Sequence, residues 1–239
     1  NKFIKRNNLI MKRPSAKNTN NISWDFFKNK KTLTNIDRNT IINKSMFQND
    51  ITAIIVARSD SKRLKKKATK KFGKLPAIEY LIKRVKKSKK IDRIILCTTN
   101  KKIDDELVSI AKKNKILTFR GENKNVLGRM LGSIKKIKTD VVVRITGDDI
   151  LIDPYYLDKT IDFHLKNNLQ YTDAKSLPSG IDTEIFDKKF LETINKLAQN
   201  TAGTEYLTFY VTDHKNQFNL GSLNVSDYYR KKIRLTLDN

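Results

Sequence analysis

The spacing of apolar residues changes at Ile51, and that change organises the chain. Residues 51–57, ITAIIVA, form a near-continuous apolar run, the pattern of a strand covered on both faces. After a long polar loop, Ile78, Leu81, Ile82 and Val85 recur at helical spacing within residues 75–88, and residues 91–98 (IDRIILCT) read as the next buried strand. The alternation continues with a helix over 103–113, a short strand over 116–119, a helix over 126–137 and a strand over 140–146 (DVVVRIT). Beyond this the pattern is less regular. It predicts a helix over 154–166, a strand near Tyr171, a strand-helix pair across 181–198, a helix around 204–211, and strands over 218–223 and 233–237. Such β-loop-α repetition predicts an α/β fold with a mostly parallel sheet flanked by helices and right-handed crossovers. Ligands of such sheets sit beyond the carboxyl ends of the strands, so chemistry is to be sought in the loops after Ala57 and after Thr146.

Residues 1–49 read differently. They are polar, Asn-rich and glycine-free, with short apolar groups at 9–11, 22–27, Leu33 and 41–42. This predicts a small module of short strands and turns with little core of its own. The chain opens on Asn with no signal or transit pattern, which reads as a cut or processed end.

Composition narrows the class. Of 239 residues, 50 are Lys or Arg and 25 are Asp or Glu, a formal charge of +25. The excess is spread along the chain, is mostly Lys and lacks interleaved aromatics. It reads first as solvated surface, second as a field that recruits an acidic ligand, with nucleic acid as the alternative. No window approaches the roughly 18 uninterrupted apolar residues of a membrane-spanning helix. A single cysteine, Cys97, excludes an internal disulfide and a cysteine zinc cluster and fits a reducing, cytoplasmic setting; its place in a buried strand makes it a core residue. The two histidines, His164 and His214, are too far apart in sequence to suggest a metal site.

Two loops carry candidate chemistry. Residues 58–67, RSDSKRLKKK, follow the first strand: Arg58 and Arg63 offer planar forks for phosphate oxygens, Lys67 a mobile point charge and Ser61 a hydroxyl. No Walker spacing and no G-x-G-x-x-G occurs among the eight glycines, so a P-loop and a dinucleotide fingerprint are excluded. A solvated basic loop is the plain alternative. Residues 143–149, VRITGDD, end a strand in two carboxylates, hard oxygen ligands suited to Mg²⁺ or, alternatively, caps for the helix that follows. A basic and an acidic loop on neighbouring edges of one crevice make a cradle for a metal-bound triphosphate.

Six blocks then point to a family: ARSDSKRLKKK (57–67), FRGENKNVLGR (119–129), VRITGDDILIDP (143–154), GIDTEIF (180–186), EYLTFYV (205–211) and RLTLD (234–238). In order and spacing they resemble the bacterial sugar-acid cytidylyltransferases, in particular the spore-coat polysaccharide branch, related to acylneuraminate and 3-deoxy-manno-octulosonate cytidylyltransferases. The resemblance implies a nucleotide-diphospho-sugar-transferase-like fold over residues 50–239 and the reaction CTP + sugar acid → CMP-sugar + diphosphate. The sugar acid is nonulosonic or related, the setting is surface polysaccharide or glycan synthesis, and Mg²⁺ is the cofactor. By motif, Arg58, Ser61, Arg63 and Lys67 would hold the triphosphate, with Arg58, Arg63 and Lys67 as the catalytic set, and Arg120 would lie near the base. Asp148 would be the principal metal ligand, completed by Asp238. Asp182, Glu184 and Tyr206 fall on the sugar side, with a structural role the alternative for Asp182 and Glu184.

The sequence departs from that pattern in several places. Asp60 stands where the family has Gly or Ala, Lys65-Lys66 where it has Pro-Gly, Gly128 where it has Asp, Ile150 where it has Pro and Tyr206 where it has His. Residues 1–49 resemble, through NLIMKRPS (8–15), Ile22, Ile36-Asp37 and 40–42, the antifreeze-like (SAF) domain of sialic-acid-type synthases. That implies a synthase fused upstream; a homodimer is a further partner to consider, while nucleic acid and membrane are not expected. Two other functions stay open: nucleotide transfer to a sugar 1-phosphate from another NTP, and a non-enzymatic basic nucleic-acid-binding module.

Overall fold

Strand β1 (Ile51–Val56) is buried on both sides, with Ala53 and Ile55 in one apolar layer and Ile54 in the other. The computed structural model describes residues 2–10, 22–60, 66–197, 210–211 and 213–237. After β1 come a two-stranded hairpin, β2 (Lys71–Phe72) and β3 (Leu75–Pro76), helix α2 (Ala77–Val85), β4 (Arg93–Thr99), α3 (Asp105–Lys113), β5 (Leu117–Gly121), α4 (Val126–Ile134) and β6 (Val141–Thr146). The remainder contributes α5 (Pro154–Lys166), β7 (Tyr171–Asp173), β8 (Glu184–Asp187), α6 (Lys188–Leu197) and β9 (Leu220–Ser222). Among the described residues, an α-helix, α1 (Trp24–Phe27), and short 3-10 turns precede them.

Seven strands form one sheet in the order β5-β4-β1-β6-β8-β7-β9. Only β8 runs against its neighbours, so the expected mostly parallel α/β sheet is what forms. Helices α2, α3 and α5 cover one face, through Ile78, Leu81, Leu107 and Ile161, and α4 and α6 the other, through Met130, Ile134, Phe190 and Ile194. Cys97 is fully buried in the second layer, and burial pushes its thiol up to about 11, as befits an inert core residue.

Two expectations need correction, and a third falls mostly outside the described residues. The helix expected from residue 75 begins at Ala77, because Leu75 and Pro76 pair with β2 around Gly73, whose φ of +61° suits the tight turn. The long polar loop therefore contains a hairpin. Residues 233–237 form no strand; a single bridge joins Arg234 to Ser179, and the backbone N–H groups of Leu235 and Leu237 donate to Ser179 and Asp148. The helix expected at 204–211 lies outside the described residues except for Tyr210 and Val211, which are helical.

Among its described residues the N-terminal segment has isolated bridges, Phe3 to Lys31 and Thr32 to Phe47, rather than strands. It nonetheless buries Phe27 and Phe47, which meet each other and Phe26 at tilted to perpendicular angles. Lys30 and Lys44 are both buried. Lys30 pairs with Asp140 just before β6, while Lys44 pairs with Asp187 at the end of β8 and donates to the Leu169 carbonyl at 2.8 Å. The same Asp187 faces His164 Nε2 at 3.1 Å, whose Nδ1 lies 2.9 Å from Thr172 Oγ1. This polar cluster occupies the sheet edge opposite the carboxyl ends of β1, β4, β5 and β6.

Candidate active site

The carboxyl ends of β1, β4, β5 and β6 lie along one edge, where the basic and acidic loops come together. Asp104 fixes the first of them. Buried between β4 and α3, it accepts from the Ser59 N–H at 2.7 Å with one oxygen and from the Thr99 N–H and hydroxyl with the other. Burial raises its pKa, but these donors outweigh burial and hold the carboxyl below its usual range. Ser59, in turn, accepts from the Lys66 N–H at 3.0 Å. Lys66 adopts φ +55°, the left-handed region that favours glycine, so this loop keeps a glycine-type bend with a lysine in it.

Arg58 reaches Asn123 Oδ1 at 3.1 Å and Asp60 Oδ1 at 3.4 Å. Asp60 also pairs with Lys101 at 2.5 Å, chiefly through that hydrogen bond its carboxyl is held below the usual range. An anion therefore already sits between two cations at the carboxyl end of β1.

The acidic loop begins at Gly147. A Cβ there would stand 2.7 Å from Ala57 Cβ and 3.3 Å from the Val56 carbonyl, so only glycine lets β6 exit this close to β1. Asp148 follows, with its Oδ2 2.6 Å from Lys67 Nζ. Burial works against its ionised form, yet the Lys67 hydrogen bond and charge bring its pKa below the usual value. Asp149 takes the other course. It accepts from Thr146 Oγ1 at 2.6 Å, but burial, helped by the nearby charges of Asp148 and Asp182, pushes it up to about 7. Asp182 is likewise raised, first by burial, although the Gly180 N–H donates to it at 3.0 Å. Gly180 has φ +101°, and a Cβ on it would strike the Leu235–Thr236 backbone, so the loop before β8 and the segment ending at Leu237 pass at van der Waals range.

Of the residues singled out from sequence, Arg58, Lys67 and Asp148 share this edge, with Asp182 beside Asp149. Glu184 points to a neighbouring strand: it forms an ion pair with Arg144, its register partner on β6, and accepts from the Tyr171 hydroxyl at 3.0 Å. Arg120 donates to the carbonyls of Thr99 and Lys101 at 2.8 and 2.7 Å and to Asp105 at 2.5 Å, tying β5 to the β4–α3 turn. Ser61, Arg63, Tyr206 and Asp238 lie outside the described residues. Sequence reasoning passed over Lys101, Asn123, Asp104 and Arg144, which are single polar residues with no local spacing signal. Of the departures, Gly128 gives its N–H to the Asn125 side chain that caps α4, and a Cβ at 128 would collide with that cap; Ile150 is buried.

Among the described residues no group of three or more His, Cys, Asp or Glu side chains is arranged around a metal position. One or two carboxylates with substrate phosphates suffice for Mg²⁺, however, and Asp148 offers an ionised oxygen donor at a strand end, with its Oδ2 engaged by Lys67.

The family model described as cytidylyltransferase matches residues 52–238, the whole span that builds this edge. The chain belongs to the cytidylyltransferase family. As a cytidylyltransferase it is a nucleotidyltransferase, which sets aside the reading as a non-enzymatic nucleic-acid module. It is 32% identical over 196 residues to the spore coat polysaccharide biosynthesis protein SpsF of Bacillus subtilis, covering 80% of this chain and 82% of that one. Among solved structures, a cytidylyltransferase from Leptospira borgpetersenii superposes with a TM-score of 0.73 at 28% identity, covering 80% of this chain and 82% of the other. A CMP:2-keto-3-deoxy-manno-octonic acid synthetase complexed with CTP shares the fold alone, with a TM-score of 0.58 at 12% identity over 74% of this chain and 90% of that one. Among the described residues no helix is long and apolar enough to cross a membrane.

Proposed function

We propose that this cytidylyltransferase transfers CMP from CTP to a nonulosonic or related sugar acid, releasing diphosphate, as a Mg²⁺-dependent step of surface glycan synthesis in the cytoplasm. The observation that carries the reading is the Lys67–Asp148 pair, which joins a basic loop and an acidic loop at the ligand edge of a parallel sheet. The relative SpsF and the CTP-bound synthetase of the same fold support the choice of nucleotide and of acceptor class.

In this reading Arg58, Ser61, Arg63 and Lys67 bind and orient the triphosphate, with Lys101 adding a cation at the same edge. The sugar hydroxyl oxygen bonds to the α-phosphorus as the bond to the β-phosphate oxygen breaks; the hydroxyl proton passes to solvent and diphosphate leaves. Fixed cations offset the charge that grows on the departing phosphates. Asp148 and Asp238 would hold Mg²⁺, whose chemistry would be to neutralise charge on the phosphates. Arg120 serves the nucleotide side by holding the β4–α3 turn. Asp182 and Tyr206 belong to the sugar side, while Glu184 is a structural partner of Arg144. The SAF-type likeness of residues 1–49, and with it a fused synthase, is supported by its sequence string only.

The test is diphosphate release from CTP with Mg²⁺ and a panel of sugar acids, run beside UTP, GTP and ATP. Release that needs both CTP and one of the acids is expected. No release with any acid, together with no CTP binding, overturns the reading; release with another NTP and a sugar 1-phosphate replaces it.

A further inference from the structure

A cavity of about 250 Å³ opens between the first turns of α5 and the segment after β9, lined by Tyr155, Tyr156, Lys159, Asn224, Ser226 and Tyr229. Its aromatic walls are ordered against one another. Tyr155 and Tyr156 meet edge-on with centroids 5.3 Å apart, and Tyr156 meets Tyr229 at 5.5 Å and 65°. Tyr155 and Tyr229 remain 60% and 46% exposed, large amounts of aromatic surface to leave in water. Lys159, one helical turn beyond Tyr155, holds its ammonium 4.6 Å from that ring's centroid. The side chains of Asn224 and Ser226 have no hydrogen-bond partner among the described residues. The cavity thus offers apolar faces, one cation and two uncommitted polar groups.

Its position follows from the chain path. Tyr155 and Tyr156 occupy the first turn of α5, where Asp153 accepts from both of their N–H groups, directly after the Asp148 loop. The opposite wall belongs to the segment after β9, and it is this segment whose Leu237 N–H donates to the Asp148 carbonyl at 2.9 Å. The first wall therefore follows the loop that carries the candidate metal ligand, and the chain of the second returns to that loop at Leu237.

We infer that this tyrosine-lined cavity is the acceptor subsite, taking a pyranose that bears a carboxylate. A pyranose ring has a face of C–H bonds and a rim of hydroxyls, which match aromatic walls edged by an amide and a hydroxyl. The carboxylate is matched by Lys159, the cation among the described residues that line the cavity. This assignment rests on the proposed function for its acceptor class, but it can fail separately.

The experiment measures binding of N-acetylneuraminate and 3-deoxy-manno-octulosonate to the full chain by saturation-transfer NMR, with and without CTP and with metal withheld. Tyr229→Ala and Lys159→Ala, both at exposed positions, are compared with wild type, and Lys159→Arg tests rescue of the charge. Loss of a charged hydrogen bond or of an aromatic wall is expected to weaken binding of an acid by about ten-fold or more, with CTP affinity unchanged and partial recovery in Lys159→Arg. No binding of either acid to wild type, or equal binding by the alanine variants, overturns the assignment. So does a parallel loss of CTP affinity, which makes the aromatic wall a nucleotide contact, or a change of sedimentation state without a change in sugar affinity, which makes it a contact between copies. Diphosphate release with unaltered acid binding in the variants removes the subsite and leaves the proposed function standing. Acid binding that depends on Lys159 with no release does the reverse.

Discussion

Lys67 Nζ stands 2.6 Å from Asp148 Oδ2, so an ion pair joins the loops after two adjacent parallel strands. Both side chains are largely buried, and the carboxylate is ionised by virtue of its partner. Asp148→Ala is expected to lower CTP-dependent diphosphate release by about 100-fold or more, since a metal-binding carboxylate contributes several kcal/mol to the transition state. Circular dichroism should show the fold retained. Wild-type turnover in this variant would refute the metal assignment. Lys67→Met is expected to act mainly on the KM for CTP.

Glu184 gives a second, separable prediction. Its carboxylate is paired with Arg144 inside the sheet and also accepts from Tyr171. Removing it leaves a guanidinium buried without its counter-charge, a loss of about 3–5 kcal/mol. Glu184→Ala should therefore shift the urea midpoint strongly while the folded fraction keeps its turnover to within about two-fold. A variant of unchanged stability that loses sugar-dependent activity would move Glu184 to the substrate.

The His164 cluster sets a pH dependence. The imidazole is fully buried, which lowers its pKa below that of a free histidine despite Asp187 beside it. The unfolded chain then takes up a proton near pH 6.5 that the folded chain refuses, so stability is full above that value and falls as pH drops toward the lower folded pKa. The expected outcome is a Tm that decreases between pH 7.5 and 5.5 in the wild type and a shallower slope in His164→Gln. Equal slopes by calorimetry would show that His164 does not carry the effect.

Gly147→Ala tests the approach of β6 to β1. The added methyl meets Ala57 Cβ at 2.7 Å, and both neighbours belong to sheet strands or their exits, so relief requires the acidic loop to move. A cost of about 1–3 kcal/mol is expected, with turnover falling further than stability because Asp148 is displaced with the loop. Wild-type stability and turnover together would mean that the loop accommodates the methyl.

Much of the fold was legible because β-branched runs at 51–57 and 140–146 and the helical spacing of Ile78, Leu81, Ile82 and Val85 record burial on both sides of a sheet. The hairpin at Gly73 escaped because strands of two residues leave no period to read. Residues 233–237 misled for the converse reason: their alternation looks like a strand, but their backbone is satisfied by loop carbonyls at Ser179 and Asp148. At the site, position after a strand pointed to Arg58, Lys67 and Asp148. It could not show that Asp60 lies between Arg58 and Lys101, that Arg120 spends its guanidinium on two backbone carbonyls and Asp105, or that Glu184 has a strand partner, since each depends on a residue distant in sequence.

The two buried lysines of the N-terminal segment bear on how this protein should be handled at the bench. The family likeness begins at residue 52, which invites an expression boundary at the first strand. Such a cut would strip the cations from Asp140 and Asp187 and uncover the surface on which Phe47 is seated. The span shared with the family and the span that is packed together are therefore of different lengths, since the second takes in Lys30, Lys44 and Phe47.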